Sequence, residues 1–150
     1  MKISEKLDYK IEDVFYIFVK AAKRDFPKFN EENPKGSKMT KKIAAYSGQI
    51  IECTVEISDY VKNEKYEITT STQNSKCVST YTFKREKDNS TLIELEEVQD
   101  SQSFISQLGF SLQRFLAKRN AKEKYRANMR NLENELKRYL NNRERSMSKN

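Results

Sequence analysis

The chain has no histidine, and only three glycines, two prolines and two cysteines among its 150 residues. Without histidine it lacks the commonest general base near neutral pH and the commonest metal ligand. Histidine-dependent triads, HExxH zinc sites and Cys/His fingers are thereby excluded. Cys53 and Cys77 fall short of a four-cysteine zinc site and carry no CxxC spacing, so no metal site is expected. Both fit inward positions on strands and read as buried free thiols. No apolar run approaches the roughly 18 residues that a membrane span needs. The opening MKISEKLDYKIEDVF lacks the charged-then-apolar pattern of a signal peptide, and a cytoplasmic, reduced protein is the expectation. Asn89-Ser90-Thr91 matches a glycosylation acceptor, but without secretion it is more simply a turn.

What is present is charge and aromatics. Charged residues make up 34% of the chain and hydrophobic ones 36%, yet eight Phe and eight Tyr argue against wholesale disorder. The length suits one domain. The net charge of +7 is unevenly placed: residues 101–150 hold 12 of the 29 basic residues against 4 acids, with one glycine and no proline. The first hundred residues are left with 17 basic and 18 acidic, close to neutral. The last third therefore reads as a long basic helix that closes a core, reaches a partner, or does both with different stretches.

The hydrophobic period changes along the chain. KISEKLDY puts Ile3, Leu7 and Tyr9 on one side of an extended segment, with Glu5 as the exception on that side. In IEDVFYIFVKAAKRDF the residues Ile11, Val14, Phe15, Phe18, Val19 and Ala22 recur at helical spacing, and the helix stops near Pro27. Lys28 to Lys38 is polar, carries Pro34 and Gly36, and predicts a loop or a short second helix. From there the period is two. Ile51, Cys53, Val55 and Ile57 alternate with polar residues, as do Tyr66, Ile68 and Thr70, and then Cys77, Ser79, Tyr81 and Phe83. MTKKIAAYS is a weaker strand, and TLIELEEV offers either Ile93, Leu95 and Glu97 or the opposite face. Turn signals at Ser47-Gly48, Lys62-Asn63, Gln73-Asn74-Ser75 and Lys87-Asp88-Asn89 join these runs into an antiparallel meander with one apolar face.

The C-terminal segment offers a cover for that face. Phe104, Ile105, Leu108, Leu112, Phe115 and Leu116 form one apolar stripe; Tyr125, Met129, Leu132, Leu136 and Tyr139 form a second. A single helix over 104–140 is about 55 Å long, against about 30 Å for a nine-residue strand. On this comparison the first stripe belongs to the core and the basic second half overhangs the sheet. Spacing of 4 and 3 in the second stripe suits either folding back over the domain or a short coiled coil, and self-association is the favoured expectation. Gly109, inside the first stripe, weakens the helix by about 1 kcal/mol relative to alanine. A close approach to the sheet, room for a ligand, or a helix starting after it accounts for it.

The order strand, helix, loop or short helix, antiparallel strands, long C-terminal helix, with the opening KISEKLDYKIEDVFYIF and the closing SFISQLGFSLQRFLAK, resembles the START-like helix-grip (SRPBCC, polyketide cyclase-like) superfamily. That superfamily includes polyketide cyclases, lipid-transfer domains and many uncharacterised bacterial proteins. The resemblance spans about residues 1–120 and implies an α+β fold. Its curved antiparallel sheet of six or seven strands wraps around a long C-terminal helix, with one or two short helices after the first strand. It also implies a cavity for an apolar ligand between sheet and helix. Residues 121–150 are then a basic extension of that helix with a frayed end. Six strands where seven are usual, and a helix too long for the grip alone, depart from the pattern.

Three functions follow as expectations. The first is a carrier or sensor that binds a small apolar or lipid-like ligand without a cofactor or covalent chemistry. Its wall would be Cys53, Val55, Tyr66, Ile68, Thr70, Cys77, Ser79, Tyr81 and Phe83 from the strands, with Phe104, Leu108 and Leu112 from the helix. Apolar walls with a few hydroxyls and thiols have the composition of a ligand pocket, although tyrosines also simply pack. The second is an interaction module in which Arg119, Lys122, Arg126 and Arg130, at steps of 3, 4 and 4 on one helix face, meet a protein partner, nucleic acid or anionic membrane. A solvated face is the bland alternative. The third is a cyclase or lyase in which an inward Glu97 with a raised pKa works with Tyr81; a bulge that turns Glu97 to solvent is the competing outcome.

Overall fold

Among the described residues, alternation with period two yields six strands, and the 3.6-residue period yields two helices on one side of them. The computed structural model describes residues 2–44, 48–73, 75–99 and 121–148. The elements are β1 (Lys2–Leu7), α1 (Ile11–Asp25), β2 (Lys38–Ala44), β3 (Ile50–Val61), β4 (Lys65–Ser71), β5 (Lys76–Arg85), β6 (Thr91–Gln99) and α2 (Ala121–Ser148). They form an α+β architecture that matches the helix-grip description: a six-stranded curved antiparallel sheet, a helix after the first strand and a C-terminal helix.

The strand order is β1-β6-β5-β4-β3-β2. The first two strands thus lie at opposite edges, and the chain between them crosses the sheet. Strands β2 to β6 run as a meander, and β1 closes it by pairing with β6. Two asparagines take the left-handed backbone at the hairpins, Asn63 with φ 63° and Asn89 with φ 66°. Asparagine tolerates this region better than other residues with a Cβ. The turns close through Glu64 N–H to Val61 C=O at 2.9 Å and Asn89 N–H to Glu86 C=O at 3.0 Å. A bulge between Ile57 and Asp59 shifts the β3 register and brings Tyr60 onto the inner face opposite Tyr66. Each edge strand carries one charge at an inner-face position, Glu5 opposite Ile93 on β1 and Lys41 opposite Cys53 on β2. Inward charges of this kind discourage edge-to-edge pairing with another sheet.

Helix α1 lies on the inner face. Ile11, Val14, Phe15, Val19 and Ala22 are buried, as the periodicity predicts, and Phe18 packs half-buried against the same core. Ile17 is buried as well, although it lies off the stripe that faces the sheet. The reason is α2. Asp13 accepts from Arg143 at 3.1 Å, the rings of Tyr16 and Tyr139 stack at 4.7 Å, and Lys20 and Arg24 lie beside Glu135 and Arg138. Numbers rise along α1 as they fall along α2, so the two helices are antiparallel neighbours.

This packing corrects the expected overhang. Met129, Leu132 and Leu136 are 3%, 7% and 0% exposed and belong to the core, with Tyr139 packed against it. From Met129 to Tyr139 the second stripe therefore folds back onto α1 and β1 rather than standing beyond the sheet, and that part of 121–150 is core rather than extension, while the side chain of Tyr125 lies outside the described residues. Burying each such side chain contributes roughly 1.5–3 kcal/mol, which a helix marginal by itself needs. Among the residues of α2 whose burial is described, 141–147 form a run exposed throughout. The first stripe, Phe104 to Leu116, lies outside the described residues, as does Gly109. Among the described residues no helix is long and apolar enough to cross a membrane.

Leu136→Ala is expected to destabilise the protein by about 2–5 kcal/mol and to lower Tm by roughly 5–15 °C, measured by denaturant and thermal unfolding. A near-neutral effect would mean that this stripe does not contribute to the core.

Candidate ligand-binding face

Strand register arranges the inner face in rows. One row runs Ile3, Leu95, Tyr81, Tyr66 and Tyr60; beside it on one side lie Ile93 and Phe83. On the other side come Glu97, Ser79, Ile68 and Ile57, and then Cys77, Thr70, Val55 and Met39, with Cys53 beyond Val55 on β3. Glu97 therefore stands on the inner face with Ile93 and Leu95, the first of the two alternatives open for β6.

The rows differ in what fills them. Phe15 meets Tyr60 and Phe83 edge-on at 5.3 and 5.2 Å, and Phe18 meets Tyr66, Tyr81 and Phe83 at 5.7, 5.0 and 5.0 Å. Edge-to-face aromatic pairs add about 0.5–1.5 kcal/mol each beyond burial. Tyr66 and Phe83, two of the expected ligand contacts, are thus buried against α1. The rows toward Cys77 are different: Val55, Ile68, Thr70 and Ser79 are half-buried, while Cys53 and Cys77 are buried. These residues form one strip across β3, β4 and β5. Phe104, Leu108 and Leu112 lie outside the described residues.

The titratable groups of Tyr81, Tyr66 and Cys53, in and beside the strip, are held neutral. Burial, reinforced by the nearby Glu97 carboxylate, pushes the Tyr81 phenol up to about 12. Tyr66 is raised further in the same direction, by burial and then by the charge of Asp25. Burial raises the Cys53 thiol as well, with Lys41 opposing it. None of these groups is an anion near neutral pH. Ser79 donates from Oγ to Glu97 Oε1 at 3.3 Å, which ties the carboxylate to β5. The opposite face of the sheet carries a polar ladder. Glu67 accepts from Ser58 and Thr80, each at 2.9 Å, and Asp59 pairs with Lys65 at 2.8 Å.

The residues expected to meet a macromolecular partner are only partly in view. Arg130 is exposed on α2; Lys122 and Arg126 lie on the same helix, but their side chains, like all of Arg119, lie outside the described residues. Among the described residues, no three His, Cys, Asp or Glu side chains gather to hold a metal ion. Sequence reasoning passed over one feature, a cleft at the α1–β2 connection lined by Lys28, Lys35 and Lys38. Its signal was a lysine-rich stretch around Pro34 and Gly36, which composition alone marks only as a loop.

A family model described as "Domain of unknown function (DUF3284)" matches residues 1–118. Among solved structures, similar chains include an uncharacterised protein from Rhizobium leguminosarum, at 18% identity and a TM-score of 0.45, with 68% of this chain and 78% of that one covered. A protein from Mycobacterium smegmatis is similar at 12% identity and a TM-score of 0.47, covering 68% and 73%. Another, from Rhizobium loti, is similar at 11% identity and 0.44, covering 88% and 90%. No curated protein matches the chain.

The tyrosine environment sets an alkaline limit. A phenol whose folded-state pKa is raised favours folding below its ordinary value of 10 and loses that contribution as pH climbs toward 12. The stability difference between the parent and Tyr81→Phe is expected to be constant from neutral pH to about pH 10 and to fall by about 1 kcal/mol by pH 11. Urea unfolding at a series of pH values measures it. A difference that does not change with pH would contradict the buried-phenol reading.

Proposed function

We propose a binding function without covalent chemistry for this chain, which belongs to the DUF3284 family. The ligand is a small apolar or lipid-like molecule, held between the inner face of the sheet and the C-terminal segment, in the manner of the START-like superfamily that the sequence resembles. The protein then acts as a carrier or sensor.

The observation that carries this reading is the half-buried strip of Val55, Ile68, Thr70 and Ser79 beside a tightly filled aromatic end. An interior meant only for stability favours continued close packing by large apolar side chains. Here the rows turn instead to small hydroxyl-bearing and aliphatic residues, the mixture that lines sites for apolar ligands with a few orienting polar groups. Tyr81 and Ser79 offer hydroxyls at the border of the strip. A phenol held near 12 donates a hydrogen bond but is a poor general base at neutral pH, which favours binding over cyclase or lyase chemistry for Tyr81 and Glu97.

Thermal unfolding in the presence of fatty acids, sterols and aromatic polyketide-like compounds tests the proposal. A ligand at about a hundredfold excess over its Kd stabilises the fold by about 2.7 kcal/mol, a shift of several degrees. Ser79→Phe, which fills the strip, is expected to keep the circular dichroism of the parent and lose the shift. A broad library without effect, together with no apolar molecule in organic extracts of the purified protein, would sink the reading.

A further inference from the structure

The connection from α1 to β2 is held more firmly than its polar composition suggests. Phe26 is buried and its N–H closes the helix on Ala22 C=O at 2.8 Å. Pro34 is buried, and its carbonyl accepts from Ser37 twice, from N–H at 3.2 Å and from Oγ at 2.8 Å. Gly36 N–H donates to Ile57 C=O at 2.8 Å and Ile57 N–H to Ser37 C=O at 2.9 Å, tying the loop to β3. Gly36 has φ +94°, where a side chain would strain the backbone. The lysines on this loop therefore start from a fixed backbone.

Beside it lies a cleft of about 520 Å³, lined by Lys28, Lys35 and Lys38 with Asn33, Gly36 and Ser37. No acidic residue lines it. Of the acids on and near this loop, Glu31 pairs with Lys23 at 3.2 Å and Asp59 with Lys65 at 2.8 Å, while Glu32 is exposed and does not line the cleft. Lys35 adds a weaker through-space attraction to Asp59. Glu56 faces Lys38 across the β2–β3 ladder but forms no ion pair with it. Among the described residues none of the three lysines has an ion-pair partner. Three exposed cations lining one cleft repel one another, and an anion bound there removes that cost.

We propose that this cleft binds the phosphoryl group of a small molecule through Lys28, Lys35 and Lys38. A phosphoryl dianion carries about two negative charges and several acceptor oxygens, enough to engage three ammonium groups. A single carboxylate would leave two of them uncompensated. The volume lies within the range of small-molecule sites, and the Asn33 side chain can add a hydrogen bond from its amide. The cleft is separate from the inner face of the sheet, so this site stands or falls independently of the apolar ligand.

Isothermal titration of the full chain with inorganic pyrophosphate at low ionic strength tests it, with vesicles containing phosphatidic acid, whose headgroup is a phosphomonoester, as a second arm. Saturable binding is expected, weakened at least about tenfold in the Lys28→Gln/Lys35→Gln/Lys38→Gln variant and unchanged in Lys41→Gln/Lys42→Gln. Circular dichroism checks that both variants fold. Pyrophosphate binding identifies a free phosphorylated compound as the source. Binding to vesicles alone, lost in the triple variant, identifies a lipid headgroup and supports the same phosphoryl chemistry. No binding to either probe, or a triple variant that binds as the parent does, would overturn the site.

Discussion

Everything in this structure depends on helix α1 having to cross the sheet. Because β1 and β2 are opposite edges of one antiparallel sheet, the chain between them must pass over a face, and the apolar stripe of α1 decides which. Phe15 and Phe18 dock on that face against Tyr60, Tyr66, Tyr81 and Phe83 in edge-to-face geometry. The dock fixes the inner side of all six strands at once, since a one-residue slip in any of them would turn its apolar set to solvent. It also creates the second surface, the flank of Tyr16 and Ile17, onto which α2 packs.

The same dock divides the inner face. Its aromatic end is filled by α1, whereas the rows of Ser79, Ile68, Thr70 and Val55 turn to smaller and more polar residues. Function is proposed at those rows, because a site for a ligand combines apolar walls with a few polar groups, whereas a solid core favours large apolar side chains throughout. On the outer face Glu67 accepts hydrogen bonds from Ser58 and Thr80 within a polar ladder. The lysine cleft at the α1–β2 connection is the contrary case, with cations held on a fixed loop and no acid lining it.

The strands were legible because apolar residues alternating with period two over runs of this length suit a half-buried strand and not a helix, and the register bears out the inner positions of Cys53, Val55, Tyr66, Ile68, Thr70, Cys77, Ser79, Tyr81 and Phe83. Asn63 and Asn89 were legible as turns for their tolerance of positive φ. Ile17 was not, because its burial needs a second helix that a single-helix pattern does not contain. The stripe of Met129, Leu132, Leu136 and Tyr139 was visible, but its destination was not. Spacing of 4 and 3 marks an apolar helix face and is the same whether that face meets another chain or its own α1. The lysine cleft was hidden for a related reason: Lys28 and Lys38 are ten positions apart, and only the fold of the intervening loop gathers them with Lys35.

The sequence by itself determined the order of the main elements, the inward residues of β4, β5 and the first part of β3, and the absence of histidine chemistry, because these follow from local period and composition; the face of β6 and the inward turn of Tyr60 needed the register. Tertiary structure alone decided that α2 returns to α1, that Tyr66 and Phe83 are taken up by packing while their neighbours remain half-buried, and that three lysines share one cleft. Each of those depends on which distant segments become neighbours, a long-range choice made by the total burial of the fold and carried by no local pattern.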